Sequence, residues 1–214
     1  CDWSSDVCSS DLDHGLTHEI IEPHLRSGFP WHEPEKEHLH LNDPERWWAH
    51  TRSIFVKIFI AFGFTKSQAE ALAKEAQRRF VDLDTWELYP DTIPVLAKLK
   101  QEGWSHMIVS NHVPELSKIV RHLGLGPYID HVVNSAAVGY EKPNDKIYEA
   151  ALKLVKDKRP GEIWMIGDNI EADVMGAEKV GLHAILVRNE DHRAKHQFKD
   201  LHEVGQFLIA QSAK

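Results

Sequence analysis

From Tyr89 onward the chain alternates short apolar runs with longer stretches whose apolar residues recur every three or four positions. That alternation predicts parallel strands joined by crossover helices. Strands are expected at Met107–Val109, His131–Asn134, Ile163–Ile166 and Ala184–Val187. Helices are expected at Thr92–Gln101, Val113–Leu123, Asp145–Val155, Glu171–Val180 and Leu201–Ala210, with Gly103, Gly124 and Gly181 at helix stops. Ile163-Trp164-Met165-Ile166 is apolar at every position, the pattern of a strand buried on both faces.

Between about Thr17 and Leu88 the periodicity is helical instead. Thr17 opens a short helix through Leu25, and Asn42 or Asp43 ahead of Pro44 opens a second. Thr65 with Gln68 forms a capping box, behind which Ala69, Leu72, Ala73, Ala76 and Phe80 make one apolar stripe. Ser27 to Leu41, rich in His, Pro and Trp, reads as an irregular loop. The first twelve residues are polar and rich in Ser and Asp, with no strand period. The expected organisation is residues 1–12 as a non-native segment, 13–88 as a small helical domain and 89–214 as an α/β domain. Asp2 to Leu12 resembles translated adapter sequence fused to a gene fragment, a segment to be set aside in reasoning about the fold.

Composition narrows the function more than the fold. The chain has 214 residues and a net charge of −8, with no basic stripe, which argues against nucleic-acid and membrane-surface partners. No apolar stretch approaches the roughly 20 residues needed to span a bilayer. Both cysteines, Cys1 and Cys8, lie in the opening segment, so disulfides and thiolate zinc sites are not expected, and a cytoplasmic location is. The 15 His residues follow no zinc spacing and read as solvated or packing residues. Trp47 and Trp48, with Trp31, are expected to pack the helical domain; lining a substrate pocket is the alternative.

Chemistry concentrates where apolar runs end. Ile163–Ile166 runs into Gly167-Asp168, with Asp173 five positions on, and a carboxylate pair at a strand tip suits a hard cation such as Mg²⁺. Gly167 is expected there to let the backbone turn sharply. Met107–Val109 ends in Ser110-Asn111, and Gly139-Tyr140-Glu141-Lys142-Pro143 presents a lysine ahead of a helix. A hydroxyl, an ammonium and a carboxylate pair in this order fit a phosphoryl group. Ser110 and Lys142 would hold its oxygens, Asn111 would contact substrate or phosphate, and Asp168 with Asp173 would seat the metal. Asn169 could orient ligands there or only cap the next helix.

From about Tyr89 to Val187 this arrangement resembles the haloacid dehalogenase-like hydrolase superfamily. Ser110 matches its second motif, Lys142 its third, and Gly167-Asp168 to Asp173 its fourth. The resemblance implies a Rossmann-like α/β core with a small helical cap, and Mg²⁺-dependent hydrolysis of a small phosphorylated metabolite through an aspartyl-phosphate. Ser110, Lys142 and Asp168 would be its catalytic residues. The first motif, an Asp-x-Asp at the end of the first strand, departs from the pattern. Asp11-Leu12-Asp13 matches it formally, but Asp6 to Ser10 cannot supply a buried strand without burying unpaired polar groups. The nucleophile strand is therefore expected to be missing from this chain, which would leave it nearly inactive as written. The alternatives are a non-catalytic phosphate- or Mg²⁺-binding module and a phospho-receiver domain. A receiver places its acidic pair first and its lysine last, the reverse of this order. No residue carries a substrate signature, and the oligomeric state is open.

Overall fold

The computed structural model describes residues 18–156 and 162–212. Asp11, Asp13 and the Thr17 cap expected from the sequence lie outside them. The helical part opens with α1 (His18–Ile21) and passes through short 3₁₀ turns at Pro30–His32 and Leu39–Leu41. Two long helices follow, α2 (Pro44–Ala61) and α3 (Lys66–Phe80). Asp43 accepts hydrogen bonds from the main-chain N–H groups of Glu45 and Arg46, with Pro44 in the first turn. Thr65 and Gln68 form the expected reciprocal box. The Ala69, Ala73 and Ala76 stripe buries against Phe55, Ile58 and Phe59 of α2. Small side chains on one helix let the other's aromatic rings close down on it.

The α/β part runs α4 (Thr92–Gln101), β1 (Met107–Ser110), α5 (Leu116–His122), β2 (His131–Asn134) and α6 (Ser135–Val138). Then come α7 (Asp145–Leu152), β3 (Trp164–Gly167), α8 (Gly176–Lys179), β4 (His183–Val187), β5 (Gln197–Phe198) and α9 (Leu201–Ser212). All pairings are parallel: β1 with β2, β3 with β4, and β4 with β5. The two-residue β5 is too short to carry a period, and among the described residues it is the one strand the pattern misses.

Several helices differ from expectation: the first gives way after Ile21 to a 3₁₀ turn at Glu22–Leu25, and α6 is one the pattern does not predict. α5 begins at Leu116 because Val113 to Glu115 form a turn around Pro114. α7 gives way after Leu152 to single turns. The helix expected from Glu171 starts as a π-helical segment, Ile170–Met175, before α8.

Burial marks where the two parallel sheets face each other. β4, flanked by strands on both sides, is buried from Ala184 to Val187, yet every residue of β1 and β3 is only half-buried. Among the described residues β1 pairs with β2 alone and β3 with β4 alone. Both strands line a groove of about 970 Å³, walled further by Leu99 of α4, Ala151 of α7 and Leu208 of α9. The apolar Ile163–Ile166 run is therefore partly exposed on this groove, where the sequence pattern places it in full burial.

The helical part joins the α/β part through an apolar junction. Trp47, Trp48 and Phe80 pack with Val113, Ile119 and Ala136, and Trp48 Nε1–H donates to the Glu115 carboxylate at 3.1 Å. Trp47 and Trp48 thus pack between the two parts, and Trp31 sits against both clusters. No described helix is long and apolar enough to cross a membrane.

Candidate functional site

Four segments meet at the mouth of the groove. Ser110 closes β1, Lys142 stands on the loop before α7, Asp168 follows β3, and Asp173 lies in the π-helical segment; all four line the same groove. Carboxyl ends of parallel strands collect in this way because every crossover returns the chain to the same edge.

The two acidic residues have different surroundings. Asp168 is exposed, and its main-chain carbonyl accepts from Asn189 Nδ2 at 2.9 Å. Asp173 is 4 % exposed. Its Oδ1 accepts from Lys142 Nζ at 2.5 Å, and its Oδ2 accepts the Asn169 N–H at 3.0 Å. The expected carboxylate pair is thus divided: Asp173 neutralises the lysine, and Asp168 is the one open to a cation. Two local features make that possible. Asn169 caps the turn, its Oδ1 accepting from the N–H groups of Glu171 and Ala172, and the wider π-helical winding brings Asp173 back beneath β3. Gly167 then leaves room for the carboxylate, since a Cβ there would lie 2.2 Å from Asp173 Oδ2. The glycine is required by close approach rather than by a sharp turn.

The lysine loop is held from several directions. Asn111, expected to contact phosphate, spends its amide on the Lys142 peptide: Nδ2 donates to the Lys142 carbonyl at 3.0 Å, and Oδ1 accepts the Lys142 N–H at 2.7 Å. From the helical part, the His38 N–H donates to the Gly139 carbonyl at 2.7 Å. Asn144 Nδ2 donates to the Pro34 carbonyl at 2.8 Å, and the Tyr140 hydroxyl donates to Glu37 Oε2 at 3.2 Å. Gly139 has φ +78°, and a Cβ on it would stand 3.0 Å from the Leu39 backbone. Only glycine meets both demands.

Sequence reasoning passed over Glu141, whose lack of any pattern gave no signal. It is 2 % exposed, and burial pushes its carboxyl up to about 7, against smaller opposing effects of the Ser135 hydroxyl and Lys142. Burial likewise lowers His112 to about 4, so its ring is neutral where it packs against Trp86 and Phe80. The raised Glu141 value has a direct consequence for stability. Between the ordinary value of 4.5 and about 7 the folded state holds a proton that the unfolded chain has released. Stability therefore falls as pH rises through that window and levels off above it. Urea midpoints measured from pH 4.5 to 7.5 should decline in the parent and stay flatter in Glu141→Gln; an identical slope in the variant would take Glu141 out of the explanation.

Comparisons with known proteins agree on one family. A family model for haloacid dehalogenase-like hydrolases matches residues 12–181. Over 104 residues the chain is 38 % identical to the glyceraldehyde 3-phosphate phosphatase of Methanothermobacter thermautotrophicus, a match covering 48 % of this chain and 45 % of that protein. Human haloacid dehalogenase-like hydrolase domain-containing protein 3 is 29 % identical over 182 residues, covering 81 % of this chain and 70 % of that one. The magnesium-bound crystal structure of the HAD-hydrolase YfnB from Bacillus subtilis superposes with a TM-score of 0.74 at 16 % identity, over 97 % of this chain and 92 % of that one. That likeness speaks for the fold. The chain spans about half the length of the first curated relatives it matches, 45 % and 55 %.

Proposed function

The chain belongs to the haloacid dehalogenase-like hydrolases, and on that premise we propose that it is built to hydrolyse phosphate monoesters of small metabolites with Mg²⁺. The observation that carries this reading is the meeting of Ser110, Lys142 and Asp168 at one groove mouth. The Ser110 hydroxyl and nearby N–H groups bind phosphoryl oxygens, and Lys142 offsets their charge. Asp168 would hold the metal, since Mg²⁺ takes oxygen ligands and keeps several waters. Bound there, Mg²⁺ supplies charge neutralisation at the phosphoryl group. Asp173 serves by fixing Lys142 rather than by binding the metal. The name of the archaeal relative, a glyceraldehyde 3-phosphate phosphatase, supports the substrate class.

The reaction we propose needs a carboxylate nucleophile, and the half-buried β1 and β3 support a place for it beside the groove. A single apolar strand lying between β1 and β3 would satisfy both open edges and end beside Ser110, Lys142 and Asp168. Its terminal aspartate attacks phosphorus as the ester P–O bond breaks, and a second aspartate two residues on protonates the leaving oxygen. Water, deprotonated by that second aspartate, then cleaves the aspartyl-phosphate, returning the carboxylate and releasing inorganic phosphate. Two Asp-x-Asp pairs occur in this chain: Asp82 and Asp84 belong to a 3₁₀ turn that Asp82 caps, and the polar Asp6 to Ser10 before Asp11 and Asp13 suit such a strand poorly. We therefore hold that the nucleophile strand is missing and that the chain as written is nearly inactive. The non-catalytic reading, phosphate or Mg²⁺ binding without turnover, describes the chain in that form. The helical residues before Tyr89 act as the cap over the groove mouth.

Asp168→Asn tests the metal assignment. It removes one anionic oxygen ligand, so Mg²⁺ affinity should drop by about tenfold or more, a loss comparable to that from mutating a group that supports a metal site. Isothermal titration with Mg²⁺ alone reads this without turnover. Unchanged affinity would remove Asp168 from the metal site.

A further inference from the structure

We propose that Asn111 is a positioning residue, which fixes Lys142 by gripping its peptide group at both ends, and that it makes no contact with substrate. An asparagine amide offers two donors and one carbonyl oxygen. Here that carbonyl oxygen accepts the Lys142 N–H at 2.7 Å, and one amide proton goes to the Lys142 carbonyl at 3.0 Å. This is the pairing a neighbouring strand would provide, made by a side chain 31 residues away in sequence. A second tie runs alongside. The His112 N–H donates to Ser135 Oγ at 3.1 Å, on the helix that leads into the Lys142 loop.

Residues 110–112 and 141–142 are thereby joined as one unit carrying Ser110 and Lys142 together. The lysine is anchored at its base by Asn111 and at its tip by Asp173, so its ammonium is in place before any ligand arrives. A long flexible side chain held in this way has little rotamer freedom left to lose on binding. The inference rests on reading Lys142 as the phosphate-facing cation, but its test needs no turnover.

The rate of reductive methylation of Lys142, followed by peptide mass spectrometry in the ligand-free 214-residue chain, reports whether the ammonium is held. The exposed Lys146 serves as internal reference. Asn111→Ala should raise the Lys142 rate by about fivefold or more relative to Lys146 through local opening. Asn111→Asp keeps the acceptor for the Lys142 N–H but loses the donor, and should fall between parent and alanine variant. Titration with inorganic phosphate should weaken in the same order. Unchanged Lys142 reactivity in both variants, with phosphate affinity still reduced, would overturn the proposal and make Asn111 a ligand contact. Phosphate failing to bind even the parent would count against the phosphatase reading and leave the reactivity test of Asn111 standing.

Discussion

An apolar strand ending in Asp-x-Asp, placed directly before His14, should raise Mg²⁺-dependent hydrolysis of p-nitrophenyl phosphate by about 10⁴-fold or more, the scale on which nucleophile loss disables hydrolases. The expectation follows from packing as much as from chemistry. β1 and β3 turn half-buried apolar residues toward one groove, and among the described residues each pairs with one strand alone. An added strand would cover that surface and supply the carboxylate in one step, so the thermal midpoint should rise along with turnover. A repaired chain that melts higher yet hydrolyses no phosphate ester would end the enzyme assignment. Robust turnover by the chain as written would instead return the nucleophile's role to Asp11.

Lys142→Met should act on folding and on binding through the same ammonium. Removing it leaves the Asp173 carboxylate buried without a counter-ion, a change that typically costs about 3–5 kcal/mol. Phosphate affinity should be lost as well. The double variant Lys142→Met with Asp173→Asn separates the two duties. It should recover much of the stability, because no isolated charge remains, and none of the phosphate binding. Urea unfolding and phosphate titration on the three proteins read both quantities. Equal destabilisation in the single and double variants would show that the ion pair is not what holds this part of the fold.

Much of this architecture was legible because apolar periodicity acts locally. Four of the five strands among the described residues, and both long helices, follow from runs of a few residues and their caps, as do the strand ends carrying Ser110 and Asp168. What the sequence could not disclose is which polar atom faces which. Asp168 and Asp173 look alike as letters, and only the winding of residues 170–175 makes one a buried partner of Lys142. Asn111 reads as a site residue because it follows Ser110, but its amide turns toward a loop 31 residues away. Glu141 carried no pattern at all, and nothing in the residues beside it announces that it is buried.

Pro34, Glu37 and His38 have a consequence for anyone altering what this protein accepts. Their contacts fasten a stretch of the helical part to the very residues that flank Lys142. Grafting residues 33–41 from a relative would therefore do more than redraw that surface; it would also shift the ammonium proposed to face phosphate. Built on a chain repaired with the nucleophile strand, chimeras of that kind should first show a fall in rate on every ester tried, and selectivity should change only once the Gly139–Asn144 turn has been exchanged along with its strap.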